Sequence, residues 1–139
     1  MARAPLAITI GDPAGIGPEV ILGAWARLVA EGHAPAAFVV GGAQLLAGVA
    51  EALRIACPIV PIAEPAEALL ASAAGLPVMA GLDAPRAPGE PSPEGARLAL
   101  ASLNLGAKFA LSGLAGGLVT APIAKAALAQ FDDPTVNRH

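Results

Sequence analysis

Apolar runs of five or six residues alternate with longer segments of helical period along nearly the whole chain. That alternation leaves few folds open. "LAITI" (Leu6 to Ile10), "AAFVVG" (Ala36 to Gly41), "PIVPI" (Pro58 to Ile62), "LPVMAG" (Leu76 to Gly81) and "GLVTA" (Gly117 to Ala121) read as strands. Pro61 marks its run as an edge strand or a strand end. Between them, Val20, Ile21, Ala24, Trp25, Leu28 and Val29 recur at helical spacing and form one apolar face, which Gly32 terminates. "AQLLAGVAEALR", the short "AEALLASAA" and "EGARLALASLNLGAKFALSG" are further helices, the last with Leu98, Ala101, Leu105 and Phe109 on one stripe. Ser92 is placed to cap that helix and Pro93 to open it. "PIAKAALAQF" (Pro122 to Phe131) reads as a final helix. Strands alternating with helices predict an α/β fold, a mostly parallel sheet with flanking helices. No internal repeat interrupts the pattern.

Composition narrows the partners. At 139 residues the chain is one domain or part of a larger one. Only 3% of residues are aromatic and none is Tyr, so the interior is built from Ala, Val, Leu and Ile. Charged residues make up 14%, against about 25% in ordinary soluble domains. A dimer contact or further chain is therefore expected over part of the surface. Net charge is −3 and no basic cluster occurs, which argues against a nucleic-acid partner. The single cysteine, Cys57 in "RIACPIV", excludes an internal disulfide, fits a reducing compartment and reads as buried core. The uncharged runs Ala34 to Ala50 and Phe109 to Ala124 each contain a Gly-Gly pair and fall short of the roughly 20 residues a membrane span needs. The N-terminus lacks an apolar stretch of signal-peptide length. The expectation is a soluble, cytoplasmic chain without a membrane partner.

Two strand-to-helix junctions carry whatever chemistry is legible. In "ITIGDPAGIGPEV" the glycines permit positive φ and close approach of a ligand to the backbone. Pro18 suits a first helical position, Glu19 complements the dipole, and the helix start offers N–H groups to an anion. The pattern is neither the dinucleotide fingerprint nor a phosphate loop ending in Gly-Lys-Ser/Thr. A plain tight turn with no ligand accounts for it equally well. The second junction is "VTAPIAK", with Thr120 at the strand end, Pro122 opening a helix and Lys125 near its first turn. Open α/β sheets gather ligands at the carboxyl ends of their strands, where both junctions belong. A solvated surface lysine is the other reading of Lys125. His33 reads as exposed, Asp132 and Asp133 as a solvated turn, and no residues show convincing metal-ligand or Ser–His–Asp spacing.

Together, "ITIGDPAGIGPEV", "PGEPSPEGARLALASL" and "GLVTAPIAKAAL" resemble the N-terminal part of the 4-hydroxythreonine-4-phosphate dehydrogenase family of pyridoxal phosphate biosynthesis. "GDPAGIGPE" is also similar to the turn of isopropylmalate and isocitrate dehydrogenases, which implies an isopropylmalate dehydrogenase-like fold, here incomplete. The resemblance implies an NAD(P)-dependent oxidation of the secondary alcohol of 4-phosphooxy-L-threonine, followed by loss of CO2. It further implies a divalent metal (Zn, Mg or Co) and a homodimer with its cleft near the subunit contact. Asp12, Gly15, Gly17, Thr120 and Lys125 are expected to line that cleft for cofactor or substrate, with no catalytic or metal-binding residue assigned. The family commonly has Asn where this chain has Ala124, and it continues with a Gly-His-Thr-Glu motif and three metal-binding histidines not matched here. Residues 1–131 therefore read as the N-terminal portion of a longer dehydrogenase and 132–139 as a divergent tail, as a truncation or frameshift would leave. By that reading the chain alone is inactive. A paralogous dehydrogenase of another phosphorylated hydroxy acid, or a non-catalytic remnant, are the alternatives.

Overall fold

The computed structural model describes residues 4–121. β1 (Leu6–Thr9), β2 (Ala37–Val40), β3 (Ile59–Ile62), β4 (Leu76–Met79) and β5 (Leu118–Thr120) form one sheet in the order β3-β4-β2-β1-β5. Every neighbouring pair is parallel. Each strand lies within its apolar run, one or two residues shorter than the run itself. Pro61 sits in β3 at one edge, where a residue without an N–H disturbs the ladder least. Parallel neighbours need crossovers. These are supplied by α1 (Gly17–Ala30), α2 (Ala43–Leu53), a short 3-10 turn (Pro65–Glu67) running into α3 (Ala68–Ala71), and α4 (Pro93–Ser112). The helix expected over Pro122 to Phe131 lies outside the described residues.

Alternate residues of a strand face opposite sides of the sheet, and two apolar clusters follow from that. Ile10, Val39, Leu76 and Val78 meet Ile21, Leu22 and Trp25 of α1 and Leu45, Leu46 and Val49 of α2. Ala7, Phe38, Val40, Ile62 and Met79 meet Ala68 of α3 and Leu105 and Phe109 of α4. Phe38 and Phe109 contact edge to face at 5.8 Å, a favoured aromatic geometry. Cys57 belongs to the first cluster, and burial pushes its thiol pKa up, as a packing residue requires.

The helix ends follow local chemistry. Ser92 caps α4, its hydroxyl accepting from the Gly95 N–H at 3.0 Å, and Pro93 opens the helix. Gly32, at φ 78°, stops α1 while the His33 N–H donates to the Leu28 carbonyl at 2.7 Å. His33 is exposed.

Two predicted stripes are corrected. Of the α1 face, Ile21 and Trp25 are buried together with Leu22, whereas Val20, Ala24, Leu28 and Val29 are exposed. The reason is coverage: α1 packs against α2 on one flank, and no other described helix covers the flank toward β5. On α4 the buried line is Gly95, Leu98, Ala99, Ser102 and Gly106, and Ala101 is only half-buried. Small residues face the sheet because α4 lies close to it. A Cβ at Gly106 would stand 2.9 Å from Leu118 Cδ1. Among the described residues, no helix is long and apolar enough to cross a membrane.

Candidate functional site

The sheet brings the two junctions to one place. β1 and β5 are adjacent and parallel, with Thr9 opposite Thr120. The Ala121 N–H donates to the buried Thr9 hydroxyl at 3.3 Å, so the exits of the two strands are joined. Both exits lie at the carboxyl end of the sheet, where open α/β folds bind ligands.

Within the first turn, Gly11 takes φ 76°, a region costly for any residue with a Cβ. Gly15 and Gly17 do not adopt positive φ, which corrects the expectation that the turn's glycines share that role. Gly15 is exposed, and a Cβ there would meet only Asp12, at 3.6 Å, an ordinary contact. Gly17 is buried and begins α1, followed by Pro18. Asp12 is half-buried; its Oδ1 accepts from the Ala14 N–H at 2.9 Å, and its carbonyl accepts from the Gly15 N–H at 3.0 Å. Its carboxylate thus shapes the turn through one oxygen. Thr120 is exposed and borders an apolar groove of about 210 Å³ between α1 and β5, with Ile8, Val20, Leu28 and Val119. Asp12, Gly15, Gly17 and Thr120 therefore share one end of two neighbouring strands, while Lys125 lies outside the described residues.

A second turn of the same kind shows how a helix start can be closed from within the chain. β2 passes into α2 through Gly41 and Gly42, at φ 91° and 85°. The N–H groups that open α2 are already held: Asp83 Oδ2 accepts from Gln44 at 2.8 Å and Oδ1 from Leu45 at 3.1 Å. The carboxylate, carried in on the loop after β4, occupies the position an anionic ligand would take. At α1, among the described residues, no side chain accepts from the N–H groups that open the helix. The first turns of α1 lie beside the β5 exit, with Val20, Val119 and Thr120 around one groove. Among the described residues, no three His, Cys, Asp or Glu side chains come together as metal ligands. The metal implied by the resemblance has no ligand set there.

Sequence reasoning missed Asp83, Thr9 and Ser102. Thr9 and Ser102 are the buried polar side chains among the described residues, and Ser102 Oγ accepts from the Ile10 N–H at 2.9 Å. A serine on the apolar stripe of α4, four positions after Leu98, was the available signal.

Relatives agree with the architecture. A curated 4-hydroxythreonine-4-phosphate dehydrogenase from Erythrobacter litoralis is 51% identical over 126 residues, which cover 91% of this chain and 37% of that protein. Its counterpart from Caulobacter vibrioides is 41% identical over 129 residues, covering 92% and 37%. Among solved structures, 4-hydroxythreonine-4-phosphate dehydrogenase from Klebsiella pneumoniae superposes with TM-score 0.75 at 30% identity, covering 93% of this chain and 40% of that one. The enzyme from Burkholderia phymatum gives TM-score 0.77 at 26% identity, covering 93% and 39%. The chain thus spans a little over a third of the length of the curated relatives it matches. The profile of the family described as pyridoxal phosphate biosynthetic protein PdxA matches residues 33–135, and the chain belongs to that family.

Proposed function

We propose that this chain forms one wall of the ligand cleft of an NAD(P)-dependent dehydrogenase acting on 4-phosphooxy-L-threonine. The observation that carries the reading is the α1 start, which no side chain among the described residues caps, beside the joined exits of β1 and β5. Aligned peptide dipoles and N–H groups there suit a phosphate or carboxylate. Asp12 holds the turn that aims them, Gly15 leaves the approach open, and Gly17 begins the helix. Thr120 offers a hydroxyl from the neighbouring strand, and Lys125, five positions further along the sequence and outside the described residues, is the cation this reading assigns to the same anion. A nicotinamide cofactor would supply the hydride acceptor. The described residues offer a divalent metal no ligand set, so no step is assigned to one here. Cytoplasmic location and a homodimer belong to the same proposal.

A chimera tests it. Residues 1–131 of this chain would replace the matching part of the Erythrobacter litoralis relative, which is 51% identical. The expected outcome is NADH formation from 4-phosphooxy-L-threonine, with Lys125→Ala lowering kcat/KM about tenfold or more, as loss of a charge-assisted contact does. The 139-residue chain alone is expected to give none. A folded chimera without turnover, beside an active parent, would reject the dehydrogenase reading. Turnover unchanged by Lys125→Ala would return that lysine to the surface.

A further inference from the structure

We propose that Ser102 is a positioning residue for the Gly11–Gly17 turn, acting through the Ile10 N–H from the buried face of α4. The proposal rests on the reading that this turn walls the ligand cleft. Ile10 is the first residue beyond β1 and is fully buried, so its N–H must find a partner inside the protein. Ser102, also 0% exposed, provides the acceptor at 2.9 Å from 92 positions along the chain. The hydroxyl reaches that point because α4 lies close on β1 and β5 at Gly106, where a Cβ would come within 2.9 Å of Leu118 Cδ1.

Two more contacts arrive from the same stretch. The Gly89 N–H donates to the Ala14 carbonyl at 2.9 Å. At Gly95, in the first turn of α4, a Cβ would lie 3.5 Å from Pro13 Cγ and 3.2 Å from Ser92 Oγ. The turn is thus held at its entry by Ser102 and at its middle by the Gly89 N–H, with Gly95 in the first turn of α4 facing Pro13. The segment Pro88 to Leu103 acquires a role that composition and periodicity left blank: it is the bed on which the glycine-rich turn rests. Of the three points, Ser102 alone acts through a side-chain hydrogen bond, so its removal is the cleanest test.

Amide hydrogen exchange and NMR shifts of the 139-residue chain read the effect. Ser102→Ala should speed exchange at Ile10 and Gly11 about tenfold more than at Leu46 and Val49 of α2, the scale of one lost buried hydrogen bond. It should also shift the resonances of Asp12 to Gly15. Ser102→Thr, which restores a hydroxyl, should restore protection at Ile10. Acceleration spread evenly over the whole chain would mark Ser102 as an ordinary core residue and overturn the proposal, as would an unchanged Ile10 amide. If Ser102→Ala does not fold, Gly95→Ala decides, because alanine favours the helix while its Cβ would crowd the Ser92 hydroxyl at 3.2 Å and add a contact to Pro13 at 3.5 Å. Shifted Asp12–Gly15 resonances with α2 unmoved would support the bed; unmoved turn resonances would reject it. None of these readouts needs turnover, so failure of the dehydrogenase reading and failure of this one are separate results.

Discussion

Gly11 and Gly15 stand four positions apart in one turn and are glycine for different reasons. Gly11 sits at φ 76°, so alanine there must enter the left-handed region. Gly11→Ala should destabilise the chain by about 1–2 kcal/mol. Gly15 has ordinary backbone geometry and room for a Cβ, so Gly15→Ala should change stability by no more than about 0.5 kcal/mol. Urea denaturation of the two variants checks the pair, and equal losses would contradict the turn geometry. Cys57 gives a pH-dependent prediction. Burial raises its pKa, so the folded thiol keeps its proton to higher pH than the unfolded one. Its contribution to stability is whole below about pH 8.5, the unfolded value, and is lost as pH rises toward the folded value. Tyrosine, which would titrate nearby, is absent from the chain. The unfolding midpoint should therefore fall as pH rises past the unfolded thiol value, and Cys57→Ala, though less stable at neutral pH, should show a shallower fall. Parallel curves for the two proteins would remove the thiol from the account.

At the scale of elements, the α2 start depends on a carboxylate delivered by another loop. Asp83 bonds the Gln44 and Leu45 N–H groups across 39 and 38 positions. Asp83→Ala should cost about 0.5–2 kcal/mol, the range of a lost helix cap, and Asp83→Asn less, since one acceptor oxygen remains. Denaturant titration checks the order; a costless Asp83→Ala would show that water replaces the carboxylate fully. This bond also marks the limit of what the sequence makes legible. The five strands, the Ser92 cap and the Gly32 stop are readable because their signals are local: period, turn chemistry, a proline at a helix start. The order β3-β4-β2-β1-β5 is not, since it depends on pairings between distant segments. Both candidate junctions are visible as motifs, yet the Thr9–Thr120 pairing that sets them side by side joins residues far apart in the chain. The α1 stripe misleads for a related reason. Helical period shows which residues share a face, and only the neighbours decide how much of that face is covered.

At the scale of the whole molecule, the flank of α1 toward β5 is the feature with most consequence. Val20 is 49% exposed, Leu28 36% and Val119 46%, and with Ile8 they line one continuous groove. Contiguous apolar surface of this kind drives association, whereas isolated apolar residues do not. Among the described residues β3 and β5 end the sheet, and a strand at a sheet edge offers unpaired N–H and C=O groups to a second copy. The chain should therefore self-associate increasingly as its concentration rises and bind a hydrophobic dye. Val20→Lys places a charge in the groove at an exposed helical position that the fold tolerates. Burying one such aliphatic side chain is worth roughly 1.5–3 kcal/mol, so that variant should weaken association about tenfold or more. Leu111→Lys is the control: Leu111 is 89% exposed and does not line the groove, so its replacement should leave association unchanged. Sedimentation velocity over a concentration series, with dye fluorescence alongside, distinguishes the cases. Equal weakening by both variants would assign association to general hydrophobicity, and a compact monomer without dye binding would show that this flank is covered within the chain itself.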